Sequence, residues 1–287
     1  MKNLLQDSCT NHVATAVAGS RFKAGMLQIP VAALMLAFGS GQAMAQNASS
    51  KASAAINTAV GCTVSNATTI GTAPLTCHDI FSGASVAVTP DNFVTIMSTP
   101  MKVSASQSLF ASPSLVTGLY TSTTTKSHTG STSTATASGG VYMRAVLTDP
   151  NTGAVVKIAD PVAVCSNDIL GCQASSSGDF GVTLDSRVQT LTQTLSDCVV
   201  NVVVGGVAGS GTCDFDLTTQ LILQTTAAHT FNFIFPNVGQ GSYNVAIQVA
   251  VNSNATVGGN ATAVGAAAFG LGSLTVESVR LVHNFAF

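Results

Sequence analysis

From about residue 84 onward, apolar residues recur at every second position in short runs broken by Gly, Pro, Asn and Asp. Side chains alternate between two faces only along an extended strand, so this period of two predicts β-strands with one buried face. The clearest run covers residues 242–251, where Tyr243, Val245, Ile247, Val249 and Val251 alternate with Asn244, Ala246, Gln248 and Ala250. Phe231, Phe233 and Phe235 share one face of a second run, and Phe215, Leu217, Leu221 and Leu223 share one face of a third. These three runs are expected to supply much of the core. Across residues 273–283 the apolar parity changes, from Leu274 and Val276 to Val279 and Leu281, which predicts a bulge near Glu277 and Ser278. Residues 187–195 fit either a helical or a strand period, and their threonines favour the strand. The stretch Asp149-Pro150-Asn151-Thr152-Gly153 is a hairpin loop by its turn chemistry; a calcium loop would need further carboxylates in register. The fold class this implies is all-β, an antiparallel β-sandwich.

The N-terminal segment has the three-part order of a secretory signal: a polar stretch ending in Arg21 and Lys23, an apolar run over residues 29–38, and small residues at Ala43 and Ala45. Cleavage is expected between Ala45 and Gln46. The apolar run is about half the roughly twenty residues a spanning helix needs, so no membrane span is expected after cleavage. The expected organisation is a signal peptide at 1–45, an N-terminal extension with a disulfide loop at 46–83, and a sandwich domain at 84–287. Residues 46–60 read as a flexible start or a short helix. Residues 121–138, almost entirely Thr, Ser and Ala, read either as two solvent-facing strands around Gly130 or as a disordered loop.

Cysteine usage agrees with export to the periplasm, the cell surface or the medium. One cysteine, Cys9, lies in the leader, and six follow it: Cys62, Cys77, Cys165, Cys172, Cys198 and Cys213. An even count in an exported chain reads as disulfides, and these fall into three sequential couples, each bracketing a turn-rich segment. The expected pairs are Cys62 with Cys77, Cys165 with Cys172, and Cys198 with Cys213. Zinc would want a Cys-x-x-Cys spacing, which the sequence lacks.

Beyond the leader, seven Lys and Arg stand against eleven Asp and Glu, a net charge of −4. That weak acidic balance has no basic run interleaved with aromatics, so nucleic acid is not an expected partner. Charged residues make up 8% of the chain, which requires a neutral polar surface rather than an ionic one.

The stretches at 114–121 (Ser-Leu-Val-Thr-Gly-Leu-Tyr-Thr), 221–223 (Leu-Ile-Leu), 231–233 (Phe-Asn-Phe) and 272–281 (Gly-Ser-Leu-Thr-Val-Glu-Ser-Val-Arg-Leu) resemble a group of uncharacterised exported prokaryotic proteins. The closing strands are similar to the end of jelly-roll domains in secreted and surface proteins. The resemblance covers roughly residues 93–283 and implies a jelly-roll-like sandwich. It carries no activity and no catalytic residue.

Catalytic motifs are missing from the sequence. No serine has the Gly-x-Ser-x-Gly context of an α/β-hydrolase nucleophile, and no His-Glu-x-x-His is present. Beyond the leader there is one glutamate, Glu277, so a carboxylate pair would have to use aspartates. Asp214 and Asp216 share a strand face opposite Phe215 and Leu217, as a solvated edge would. Asp179 and Asp185 flank another short strand. His78, His128, His229 and His283 have no ligand-like partner at i+2 or i+4. No catalytic, cofactor-binding or metal residue is therefore assigned.

The expected role is a secreted, non-enzymatic structural, adhesive or surface-interaction domain, whose partner is itself, an extracellular surface or a glycan. A carbohydrate-binding module is the alternative, although the chain has no Trp and three Tyr: Tyr120, Tyr142 and Tyr243. An extracellular hydrolase with an aspartate site ranks below it. Thr132, Thr134 and Thr136 would suit an ice-binding array only on a longer regular face. An outer-membrane barrel, suggested by Phe287, is opposed by the six cysteines and the lack of aromatic girdles.

Overall fold

The computed structural model describes residues 51–71, 75–81, 85–87, 92–165, 171–175 and 177–280. The expected leader, its junction at Gln46, and His283 and Phe287 lie outside them. In chain order the first elements are β1 (Ala52–Asn57), β2 (Val60–Thr68), a helical turn α1 (Cys77–Ile80), β3 (Ser85–Ala87), β4 (Val94–Val103), β5 (Gln107–His128) and β6 (Ser131–Thr148). There follow β7 (Val155–Ile158), β8 (Cys172–Ala174), β9 (Phe180–Leu195), β10 (Cys198–Val204) and β11 (Val207–Cys213). The last elements among the described residues are β12 (Asp216–Thr230), β13 (Phe233–Val238), β14 (Gly241–Gly258) and β15 (Asn260–Val279).

The strands form two packed sheets and a separate ribbon, so the fold is an all-β antiparallel sandwich. The first sheet runs β12-β5-β15-β2-β3; β13 continues beside β5 past the end of β12, and β1 continues beside β15 past the end of β2. The second runs β4-β14-β6-β9-β8, with β7 on β6. The pair β2–β3 is parallel and the other pairs are antiparallel. The ribbon is β10 with β11.

One half of the sandwich is filled by bulky side chains, among them Met101, Leu109, Met143, Phe233, Phe235 and Ile247, all buried. In the half toward the turn at Gly130 the filling shrinks to Ala135, Ala137, Ala261 and Ala263. There the sheets nearly touch: a β-carbon at Gly265 would lie 2.2 Å from the Ser138 carbonyl oxygen and 2.5 Å from that of Asn254. No other residue fits such an approach.

Residues 121–138 are two ordered strands around the turn at Gly130, and they do not face solvent on both sides. Thr121, Thr123, Thr125 and Ser127 point between the sheets and are fully buried. Their hydroxyls are satisfied from β9, as buried polar groups must be. Thr117 donates to Asp185 at 2.8 Å, and Thr121 donates to Gln189 at 2.7 Å. The Gln193 amide lies between the Thr125 and Thr219 hydroxyls, at 3.0 and 3.2 Å. Four-residue spacing on both strands makes these three contacts rungs of one ladder.

Other expectations are corrected. Residues 52–57, read as part of a flexible start or short helix, form β1; small Ala and Ser side chains on both faces hid its alternation. The bulge in β15 lies between Gly270 and Gly272, while Glu277 and Ser278 pair in regular register with Phe110 and Leu109. Leu271 is the extra residue, and it shifts the buried parity from Ala267 and Phe269 to Leu274 and Val276. Phe215, Leu217, Leu221 and Leu223 do share a face, but that face is exposed, because β12 is an edge strand that overhangs the second sheet.

Candidate functional site

Three places on the molecule gather groups that could act. The first is the ribbon. Cys198 and Cys213 face each other at its root and are bridged, with their Cα atoms 5.1 Å apart. Gly205 and Gly206 close its tip, both at positive φ (63° and 83°), as a two-residue hairpin turn requires. Valine supplies β propensity along β10, and every residue between the two cysteines is exposed. Val199, Val200, Val202, Val203, Val204 and Val207 are 46% to 73% exposed. No ionisable residue lies between the cysteines; Asp197 and Asp214 flank the root. An uncharged, disulfide-stapled ribbon with exposed valines on both faces adds nothing to the core.

The second place is a groove of about 600 Å³ on the outer face of the first sheet. Its floor is the even-numbered residues of neighbouring strands, including Tyr120, Thr124, Gln220, Thr262 and Val264. The chain leaving β2 forms one wall, held by Asn66, whose side chain donates to the Leu75 carbonyl at 2.9 Å. The Cys62–Cys77 disulfide fixes α1 over the same face. One aromatic ring among neutral hydroxyls and amides can stack on a hydroxylated ring and bond its edge.

The third is a cluster of ionisable groups between β9 and β12. Asp185 accepts the Thr117 hydroxyl, and His229 Nε2 stands 3.6 Å from the same carboxylate oxygen. Arg187 donates to the Thr225 hydroxyl. Thr117 is thus bonded to the carboxylate rather than to the imidazole, so His229 does not activate it as a base would. The cluster ties an edge strand to the opposite sheet.

The remaining candidates are dispersed. Asp216 pairs with Lys126 at 3.8 Å on the exposed edge, and Asp179 pairs at 3.2 Å with Arg144, whose guanidinium lies over the Phe93 ring at 4.4 Å. His78 sits in α1 and His128 ends β5. Asp149 accepts the backbone N–H groups of Asn151 and Thr152, which hold its carboxyl below the ordinary value. The six cysteines form the pairs Cys62–Cys77, Cys165–Cys172 and Cys198–Cys213, with Cα separations of 6.1, 5.8 and 5.1 Å. Three such bridges belong to an oxidising compartment. Among the described residues no three His, Cys, Asp or Glu gather as metal ligands would, and no helix is long and apolar enough to cross a membrane.

The threonines at 132, 134 and 136 face a second rank on β9: Thr132 with Thr194 and Thr136 with Thr190 at 3.1 Å, and Thr134 with Thr192 at 3.5 Å. The sequence reading did not find that second rank. The ribbon went unread as well, although the valine-rich arm before Gly205-Gly206, between two cysteines, was an available signal.

Compared with known proteins, the sequence matches no protein-family model and is similar to no curated protein.

Proposed function

We propose that this protein is an exported, non-catalytic surface-interaction domain whose contact element is the β10–β11 ribbon. The observation that carries this reading is the ribbon's exposed valines on a rigid, stapled support. Covering six half-exposed valines is worth on the order of 5 kcal/mol of transfer free energy, enough to drive association once the contact is shaped. The neutral surface and the three disulfides support work outside the cytoplasm, as does the signal-like order of charged, apolar and small residues over 1–45.

The test replaces residues 199–212 by Asn-Gly, a dipeptide that closes the same hairpin at its root. Adsorption of the oxidised protein to an alkylated surface, and its retention on washed cells that express it, are compared with the trimmed form. The intact chain is expected to be retained on both and the trimmed chain to be released. Equal retention of the two forms would remove the ribbon as the contact.

The Tyr120 groove favours a second reading, a neutral carbohydrate-binding module. Under it, titration with neutral oligosaccharides saturates, and Tyr120→Ala abolishes the binding while the trimmed ribbon leaves it intact.

A further inference from the structure

The contact role of the ribbon, on which this inference rests, leaves its partner open, and the backbone of β10 narrows the choice. Val204 and Val207 flank a two-residue turn and are therefore a hydrogen-bonded pair. Such pairs recur at every second position of an antiparallel ribbon, so Val202, Val200 and Cys198 also turn their backbone groups toward β11. The N–H and C=O groups of Val199, Asn201 and Val203 consequently point outward along a fully exposed edge. That edge has none of the lysines, prolines or bulges that usually blunt one.

The sequence of the edge is also its own reverse. Val199-Val200-Asn201-Val202-Val203 reads the same in both directions about Asn201. We propose that β10 pairs antiparallel with β10 of a second copy, about a two-fold axis through Asn201, joining two ribbons into one four-stranded sheet. In this register Val199 faces the partner's Val203, Val200 faces the partner's Val202, and the two Asn201 carboxamides meet. The outward-pointing groups of Val199, Asn201 and Val203 all find partners. A slip of one residue sets them against groups that β11 already uses, which leaves slips of two residues as the competing registers. The paired asparagines select the symmetric one, as a polar residue fixes register in an otherwise apolar seam.

Charge selects a second copy over a lipid surface. Asp197 and Asp214 at the root disfavour an anionic bilayer, and a lone ribbon entering hydrocarbon would carry two unpaired edges. In the two-fold arrangement each neutral tip lies beside the other root. The acidic roots then stand about 20 Å apart, the length of seven strand residues, which is about two Debye lengths at physiological salt. An edge of this length covers less than the roughly 1,200 Å² at which stable interfaces begin, so the dimer is weak and concentration-dependent.

Register is read by cross-linking the oxidised protein. Asn201→Cys places two thiols across a hydrogen-bonded pair at a Cα separation of about 5.5 Å, within disulfide reach. It is expected to form a 201–201 linked dimer at least about tenfold more readily than Val203→Cys forms a 203–203 one, whereas mixed Val199→Cys and Val203→Cys proteins link to each other. Peptide mapping confirms that the three native pairs persist. Sedimentation of the unsubstituted protein is expected to show a monomer–dimer equilibrium, weakened at least about tenfold by Asn201→Lys, which opposes two like charges. Equal linkage at 201 and 203, or a monomer at every concentration, would overturn the pairing. A monomer that still adheres through its ribbon overturns self-pairing alone; a trimmed chain that adheres as well as the intact one overturns the contact role too.

Discussion

Gln189 shows how much one polar side chain can carry inside an apolar sandwich. Its carbonyl accepts from Thr121, and its amide nitrogen donates to Thr123 at 2.6 Å and to the Leu221 backbone carbonyl at 2.9 Å. The last bond satisfies a carbonyl on the edge strand β12 from across the sandwich, so the residue ties the edge to the core as well as filling it. Gln189→Ala leaves two fully buried hydroxyls without that partner, at about 1–3 kcal/mol for each unsatisfied group. Urea unfolding of the oxidised protein is expected to show a loss of about 3 kcal/mol, and adding Thr121→Val is expected to cost less than the sum of the two changes. A loss below about 1 kcal/mol would mean that the ladder is replaceable by water. None of this was legible in the sequence. Thr and Ser occupy both parities of residues 121–127, so no alternation separates a buried face from a wet one, and the partners lie 68 residues away.

At the level of elements, legibility followed contrast between faces. β14 was readable because valines and isoleucine alternate with polar or small residues, and Val245, Ile247, Val249 and Val251 are all fully buried. The parity change read across residues 273–283 marks no bulge, since Gly272 to Val279 pair in regular register, and the one bulge of β15 lies upstream of it. The run from Ala261 to Leu271 is small or apolar on both faces, so the bulge at Leu271 leaves no mark until Leu274. In β12 the alternation was real and the inference of burial was wrong, since periodicity reports a shared face and says nothing of what covers it. The ribbon is the extreme case, apolar on both faces and covered by nothing. Two strands alone are marginally stable, which gives the Cys198–Cys213 bridge a local task. In Cys198→Ser/Cys213→Ser, residues 199–212 are expected to lose amide-exchange protection while the sandwich keeps its own. The global change should fall well below the about 3 kcal/mol of a fifteen-residue loop, because the freed ribbon gains entropy in the native state as well. Retained protection, or a full global loss, would show that the ribbon is part of the cooperative unit.

Taken whole, the molecule is held by burial and neutral hydrogen bonds rather than by charge. The disulfide frame was legible from cysteine count and spacing, but the ribbon stands apart from both sheets and the Tyr120 groove lies on an outer face, and alternation does not report which faces stay open. Only eighteen Asp, Glu, Lys and Arg follow residue 45. The ion pair of Lys126 with Asp216 is exposed, and such pairs contribute little. The directional pH effects come from Asp79 and Asp149. The Thr76 hydroxyl and backbone N–H hold the Asp79 carboxyl below its ordinary value of 3.8, and the N–H groups of Thr152 and Asn151 do the same for Asp149. A carboxyl depressed in the folded state stabilises above its unfolded pKa, and this is lost as pH falls through the folded one. The loss is therefore confined to pH below about 5, where the unfolded carboxyls begin to protonate. Thermal midpoints are expected to stay level from about pH 5 to 8 and to shift little with salt. The acid limb below about pH 5 should be shallower in Asp79→Ala/Asp149→Ala. Scanning calorimetry of both proteins in low and high salt decides it. A steep slope near neutrality, or strong stabilisation by dilute salt, would show that charge repulsion matters more here than the sparse ionic surface implies.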